Sequence, residues 1–467
     1  MTSVVLVVFD GLRPDMIRPE TTPNLVRFAA MGTRLPGARA VFPSETRVCT
    51  ASVSTGCHPR RHGIVANAMF HPVDPARTVR TGDAAALRDL EQDIGGPALM
   101  MPSLSDLLAA CGRDYAVFSS GTTGQTFLLA PRAAALGQTV VSVHGAQACS
   151  PAGQAILARL DPPPADPAAR AVWIADAWRT TVLAHPPAAS VLWLCEPDTA
   201  AHHLGLDSAA QRDVLRRVDA AFGRILDDWQ VGAQRDHLQM IVASDHGHIT
   251  GTAILDTRAA FAAAPELAGC IATGGGIWVP GATRERIEAA AGFLMRQDWI
   301  ANLFGVDSTD RTPGVLPHNA ALVDHPRTGH LLYTLRNTPA PGPTGLPGST
   351  IIEQVGGLAV GAGTHGGLNR GELATVLMLA GSRIRPGLSS DWPAGLVDIA
   401  PTILSLLGEA GGAAMDGRVL EEAFRDGSEP AASRSPETWE AVADGYAQRV
   451  ARMRVGRHVI LELGERM

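Results

Sequence analysis

The sequence predicts an α/β protein: a doubly wound, mostly parallel sheet flanked by helices, with an inserted cap. Three observations carry that prediction. Short apolar, β-branched runs recur at 4–9, 190–195 and 239–243, as strands buried on both faces require. Stretches of helical periodicity separate them. The chain has 467 residues, too many for one simple core, so a cap or second domain is expected.

Val4 to Phe9 forms the first strand, stopped by Asp10 and Gly11. Thr21-Thr22-Pro23 opens a helix with Leu25, Phe28 and Ala29 on one face. Ser103 to Cys111 reads as a helix with Leu104, Leu107 and Leu108 inward, and Tyr115 to Ser119 as a short strand. The proline-rich 162–167 stretch is a loop, after which Ile174, Trp178 and Val182 recur at helical spacing. Ser190 to Cys195 is a strand followed by Glu196-Pro197-Asp198. Val214, Val218, Phe222, Ile225 and Trp229 form the core stripe of a long helix. The strand Gln239 to Ala243 ends in Ser244-Asp245-His246-Gly247.

Residues 1–252 therefore read as the first part of a catalytic core. Between 253 and 354 the chain is rich in Gly, Pro and Ala and its periodicity weakens, as in an inserted cap. Residues 355–426 return to the core, with a strand at 374–380 and a helix from Asp398 to Leu407 stopped by Gly408. In the remaining 427–467, a flexible linker over 427–436 leads to a helix carrying Val442, Tyr446 and Val450, then a strand at 458–463.

Composition narrows the class. With 46% hydrophobic and 18% charged residues the chain has ordinary enzyme composition. A net charge of −7 and no basic run argue against a nucleic-acid polymer as partner. Six cysteines without a CxxC pair suit reduced thiols rather than a disulfide framework. The opening apolar run lacks a basic stretch and a cleavage site, and no run reaches membrane-spanning length. A cytoplasmic protein without a membrane partner is the expectation.

Three aspartates, Asp10, Asp198 and Asp245, each follow a strand. In an open parallel sheet ligands bind beyond the carboxyl ends of the strands, so these carboxylates should converge. His202 lies four residues after Asp198, one helical turn on, and His246 follows Asp245 directly. Gly363-Thr364-His365-Gly366-Gly367 presents a third histidine on slim backbone. Three Asp and three His divide into two mixed N/O sites for two divalent ions, zinc best, with manganese or iron also suited. Two such ions clamp the attacking and leaving oxygens of a displacement at phosphorus.

The motifs FDGLRPD (9–15), FPSET (42–46), STGCHPRRHGI (54–64), EPDTAAH (196–202), SDHG (244–247), GTHGG (363–367) and DIAPTILSLLG (398–408) together resemble the alkaline phosphatase superfamily. Within it they resemble the type I phosphodiesterase/nucleotide pyrophosphatase family. The resemblance implies an alkaline-phosphatase-like fold and a metal-dependent phosphoric ester hydrolase. It implies that Asp198, His202 and His365 hold one metal. Asp10, Asp245, His246 and the Thr46 oxygen would hold the other. Thr46 would be the nucleophile, passing through a phosphothreonine, and Asn67 would bind a phosphoryl oxygen. Ser44 and Thr50 are competing hydroxyls. Aligning the sulfatase Thr-Gly on Thr55-Gly56 places that branch's modified cysteine at position 46, where threonine stands, so a formylglycine sulfatase is not expected.

Where these pyrophosphatases usually carry phenylalanine after the nucleophile, this chain has Arg47. Arg47 reads either as a clamp for a second anionic substrate group or as a structural partner of Glu45 or another acid. The first reading brings in a small phosphonate substrate and a phosphonoacetate-hydrolase-like cleavage of a C–P bond. A phosphomonoesterase or mutase of the same superfamily, and a catalytically silent binding module, are also compatible with these residues. His203 and His248 stand beside the ligand motifs as extra histidines, Asp15 as a support for a ligand histidine, and Arg60, Arg61 and His62 as structural residues.

Overall fold

The computed structural model describes residues 2–232, 235–306, 312–443 and 445–467. An eight-stranded sheet forms its centre. In spatial order the strands are Leu388–Ser389, Thr33–Arg34, Leu377–Ala380, Leu238–Ala243, Ser3–Phe9, Ala189–Leu194, Tyr115–Ser119 and Thr139–Ser142. Leu377–Ala380 runs antiparallel to both neighbours; every other pairing is parallel. The sheet is therefore mostly parallel, as the sequence predicts.

The continuous apolar run of the central strand has a direct reason. Val4, Leu6 and Val8 enter one core with Trp193 and Ile403, while Val5, Val7 and Phe9 enter a second with Trp178 and Phe222. Both faces are covered, so positions 4–9 are apolar without exception. Phe9 meets Phe222 edge to face at 5.5 Å. Phe222 belongs to the long helix Ala209–Val231, whose predicted stripe packs there. Ser103 caps the helix Leu104–Ala110 through a capping box with Asp106. The helix Ile399–Leu407 lies on the opposite face.

Residues of the 253–354 segment build a separate five-stranded sheet. Its order is Ile271–Thr273, Gly276–Trp278, Leu331–Leu335, Ile300–Gly305, Leu316–Pro317. With the helix Arg284–Met295 it encloses its own core around Ile277, Leu294, Ile300 and Leu331. The strands are short and Gly-interrupted, which is why the segment shows little period in sequence.

The predicted helix through Val442, Tyr446 and Val450 is absent. That stretch is an antiparallel sheet of Arg434–Ala443, Tyr446–Val455 and His458–Arg466, and residues 434–436 of the expected linker belong to its first strand. The reason is a two-residue period written partly in polar residues. Tyr446, Gln448, Val450 and Arg452 are all buried, so the apolar pattern alone looks helical. Gly445, at φ +81°, turns the chain between two strands, and Val442 on the far side is 65% exposed. Pro436 is tolerated because its strand is an edge. The strand expected at 458–463 is present and longer.

Gln448 ties this sheet to the 271–335 sheet. Its Nε2 donates to the carbonyls of Leu303 (2.8 Å) and Gly314 (2.7 Å), and its Oε1 accepts from Leu303 N (3.0 Å) and Asn302 Nδ2 (3.2 Å). Gln448→Leu leaves several of these buried groups unpaired and is expected to cost about 3 kcal/mol. A urea unfolding midpoint unchanged from wild type would contradict it.

Candidate active site

Asp10, Asp198 and Asp245 stand at the carboxyl ends of three adjacent strands, as expected. The registers Phe9 to Leu194 and Val8 to Ala243 set those ends side by side. Asp10 and Asp245 are fully buried. Trp193 Nε1 donates to Asp10 Oδ2 at 2.9 Å, and Gly11 N and His246 N donate to Asp245 Oδ1 at 3.0 Å. Each carboxylate is thus held by one oxygen, leaving the other free to face the site.

The histidines follow one rule. Nδ1 of His202 donates to Gly363 O (2.7 Å), of His365 to Ser44 O (2.8 Å), of His246 to Gly247 O (3.0 Å) and of His248 to Gly11 O (2.9 Å). A carbonyl only accepts, so the ring proton sits on Nδ1 and each Nε2 lone pair points inward. Sequence reasoning singles out three of these rings as ligands and misses His248. The role of His248 depends on Gly11, 237 positions away, whose positive φ of 70° brings the backbone against the ring. A Cβ on Gly11 would collide with His248 Cε1. The only sequence signal is a second histidine two residues after His246.

The inward atoms form two neighbouring groups. In one, His246 Nε2 lies 3.5 Å from Asp10 Oδ1, 3.5 Å from Asp245 Oδ2 and 3.2 Å from Thr46 Oγ1. In the other, Asp198 Oδ1 lies 3.0 Å from His248 Nε2, 3.3 Å from His202 Nε2 and 3.5 Å from His365 Nε2. Asp10 Oδ1, Asp198 Oδ1, Asp245 Oδ2 and His248 Nε2 are buried without a hydrogen-bond partner. His248 Nε2 and Asp198 Oδ1 are close but both are acceptors. Buried acceptors facing acceptors are costly unless a cation lies between them. The donor set fits divalent metal ions of the zinc, manganese or iron type.

Electrostatics agree. Burial, with Asp198 nearby, pushes Asp245 up to about 7, and burial with Asp245 and Asp198 pushes Asp10 well above the carboxylate range. Burial alone would raise Asp198 too, but in the metal-free site a proton shared with the facing imidazoles, His202 foremost, outweighs it and holds it well below; a bound cation would take the place of that proton. Burial pushes His246 down to about 3. With Asp245 near 7, a metal entering at pH 6 displaces a proton from it, whereas at pH 8 Asp245 is already ionised. More protons should be released per zinc bound at pH 6 than at pH 8 in an indicator-dye titration of metal-stripped protein; equal release at both would refute this.

Thr46 is 5% exposed and begins the helix Thr46–Thr55. The competing hydroxyls are committed elsewhere: Ser44 Oγ donates to Gly367 O (2.8 Å) and Thr50 Oγ1 to Thr46 O (2.7 Å). Asn67 is fixed at two points. Its Oδ1 accepts from Arg47 N (3.2 Å) and its own N–H donates to Glu45, and Nδ2 has no hydrogen-bond partner among the described residues. Glu372 holds the Gly363–Gly367 loop by accepting from Gly367 N (2.8 Å) and Asn369 N (3.0 Å).

Arg47 does not pair with Glu45. Among the described residues its guanidinium forms no hydrogen bond or ion pair, and its Nε is buried without a partner. His203 is exposed and takes no part in the cluster. Asp15 pairs with Arg13 (2.6 Å) rather than with a ligand histidine. Arg61 bonds Ala414 O (2.7 Å) and His62 bonds Ser52 Oγ (2.9 Å), in keeping with structural roles.

Comparison with known proteins is consistent with this geometry. Residues 4–289 match the model of the type I phosphodiesterase/nucleotide pyrophosphatase family. Mouse ectonucleotide pyrophosphatase/phosphodiesterase family member 3 is 24% identical over 255 residues, covering 52% of this chain and 24% of its own. Mouse bis(5'-adenosyl)-triphosphatase is 23% identical over 257 residues, covering 52% and 46%. The matched region thus spans less than half of either relative. Human ectonucleotide pyrophosphatase/phosphodiesterase 5 shares the fold at a TM-score of 0.63 and 15% identity, over 91% of this chain and all of that one. An inactive murine variant of the same protein, in complex with AMP, gives 0.62 at 16% identity, with the same coverage. No helix among the described residues is long and apolar enough to cross a membrane.

Proposed function

The chain belongs to the type I phosphodiesterase/nucleotide pyrophosphatase family, and from that premise we propose that it hydrolyses small phosphodiesters through Thr46. One observation carries the reading: the Thr46 hydroxyl lies 3.2 Å from His246 Nε2, at the edge of a cluster of buried acceptors built for cations. Asp10, Asp245, His246 and Thr46 would hold one ion, and Asp198, His202 and His365, with His248 beside them, the other. Such ions, when bound, acidify a hydroxyl and a water and neutralise phosphoryl charge.

Thr46 Oγ1 attacks phosphorus in line with the leaving oxygen, forming a phosphothreonine. The leaving oxygen departs on the Asp198 side. Asn67 Nδ2 donates to a phosphoryl oxygen, and the first turn of the Thr46–Thr55 helix favours the same charge. A water entering from the side vacated by the leaving group then releases phosphate monoester and restores Thr46. The residues of the 253–354 segment are the proposed determinants of which alcohol leaves. The relative named as a bis(5'-adenosyl)-triphosphatase and the AMP-bound neighbour support a nucleotide as one candidate substrate.

The test compares bis-p-nitrophenyl phosphate, p-nitrophenyl phosphate and phosphonoacetate on zinc-loaded protein. Preference for the diester supports the proposal; turnover of the monoester alone would overturn it in favour of a phosphomonoesterase.

A second reading rests on the unpaired Arg47 beside the nucleophile. A substrate with a second anionic group, such as a carboxylate, would satisfy it. On this reading Arg47→Ala lowers kcat/KM for such a dianion by about 10- to 100-fold, the value of a charged hydrogen bond, and spares the bis-p-nitrophenyl ester. Equal losses on both substrates would count against a clamp.

A further inference from the structure

A cavity of about 940 Å³ lies apart from the Asp/His cluster, between residues 13–15, residues 336–351, the start of the short helix Arg370–Leu373 and the last strand. We propose that it binds a multiply charged organic phosphate of nucleotide size.

Five arginines line it: Arg13, Arg39, Arg336, Arg370 and Arg466. Two carboxylates, Asp15 and Glu465, do so as well. The internal ion pairs do not cancel the excess. Asp15 is taken by Arg13 (2.6 Å) and Glu465 by Arg449 (2.5 Å), while Arg39 is taken by Glu462 (2.9 Å). Arg336, Arg370 and Arg466 are left without a carboxylate partner among the described residues. The Arg336 side chain donates only to Asp298 O (3.3 Å), and that of Arg466 donates to the carbonyls of Gln297 and Ile300 and stacks on Tyr446. Arg370 is exposed, and its side chain makes no hydrogen bond among the described residues.

Three unneutralised guanidinium groups around one cavity, in a chain of net charge −7, are a local reversal of sign. The guanidinium fork matches phosphate oxygens in pairs, better than it matches a halide or a single carboxylate. The remaining wall is mixed: Asn337, Thr350 and Asn369 are polar, while Pro339, Pro347, Ile351 and Leu463 offer an apolar surface for an organic body rather than for phosphate alone. The volume suits a ligand of that size. Arg13 separates this cavity from the catalytic cluster, donating to His248 O (2.6 Å) and Pro347 O (2.8 Å).

The experiment is equilibrium dialysis of the metal-loaded full chain against AMP, adenosine and inorganic phosphate, with wild type beside Arg336→Glu/Arg370→Glu. Both positions are exposed, and circular dichroism confirms folding of the variant. A parallel Arg370→Ala variant guards against a charge-reversal artefact. The expected result is an AMP-binding event in wild type that the double variant loses and that Arg370→Ala weakens about tenfold. If the active site also takes AMP, wild type shows two events and the double variant one. If the active site rejects AMP, wild type shows one and the variant none. An unchanged count in the double variant overturns the site. Adenosine binding as tightly as AMP would overturn the phosphate requirement, and inorganic phosphate binding as tightly would overturn the organic one.

Discussion

Replacing Thr46 by alanine is expected to lower turnover of bis-p-nitrophenyl phosphate by about 10⁴-fold or more, which is ~5.5 kcal/mol of transition-state stabilisation. No second hydroxyl can take its place. Ser44 and Thr50 are the neighbours, and both are turned away and bonded to backbone carbonyls. The cluster itself should survive. Asp10, Asp245 and His246 keep their anchors, none of which involves the Thr46 side chain. Metal content by plasma emission spectroscopy should therefore match wild type, while rapid-quench labelling finds no phosphoprotein. Retention of more than about a tenth of wild-type kcat would remove Thr46 from the chemistry, since nucleophile deletions cost far more.

Asp198→Ala should be nearly as damaging, by a different route. Asp198 Oδ1 is the one carboxylate oxygen facing Nε2 of His202, His248 and His365, at 3.3, 3.0 and 3.5 Å. Without it three neutral imidazoles remain, and no anion offsets the charge of an incoming cation on that side. Metal affinity there should fall by at least about 100-fold, the upper end of what loss of even an outer-shell partner costs. The other group keeps Asp10 and Asp245. Dialysis against dilute chelator should leave the variant with about half the metal of wild type and with diesterase activity reduced in parallel. Full metal retention would show that Asp198 is not a ligand.

These expectations differ in how far the sequence alone supports them. The three strand-end aspartates are legible because a strand buried on both faces is predominantly apolar, so a carboxylate at its end stands out. His202, His246 and His365 are legible because each accompanies a carboxylate or a glycine-rich turn. His248 is not, since its ring is oriented by Gly11 in a distant loop and local spacing says nothing of that hydrogen bond. Arg47 is legible as a departure from its family but not as an unpaired cation, because the lack of a partner is a property of everything packed around it. The last sheet misleads for another reason: buried Gln448 and Arg452 break the apolar alternation that identifies a strand. The short strands of 271–335 pair at long range, leaving no period to read.

The same sheet bears on the order in which the molecule can be assembled. Tyr446 completes the core of the 271–335 region, bonding Ala301 O at 2.9 Å, and Gln448 supplies partners that Leu303 and Gly314 otherwise lack. Roughly 110 residues separate Leu335 from Tyr446, so at about 5–20 residues per second a ribosome needs about 5 to 20 s to deliver the missing pieces. During that interval Ile300 and Leu303 have no finished shelter and the carbonyl of Gly314 has no donor. The catalytic sheet waits as well, because Leu377–Ala380, which borders Leu238–Ala243, is made late. The 271–335 core therefore closes only once the last three strands have been made.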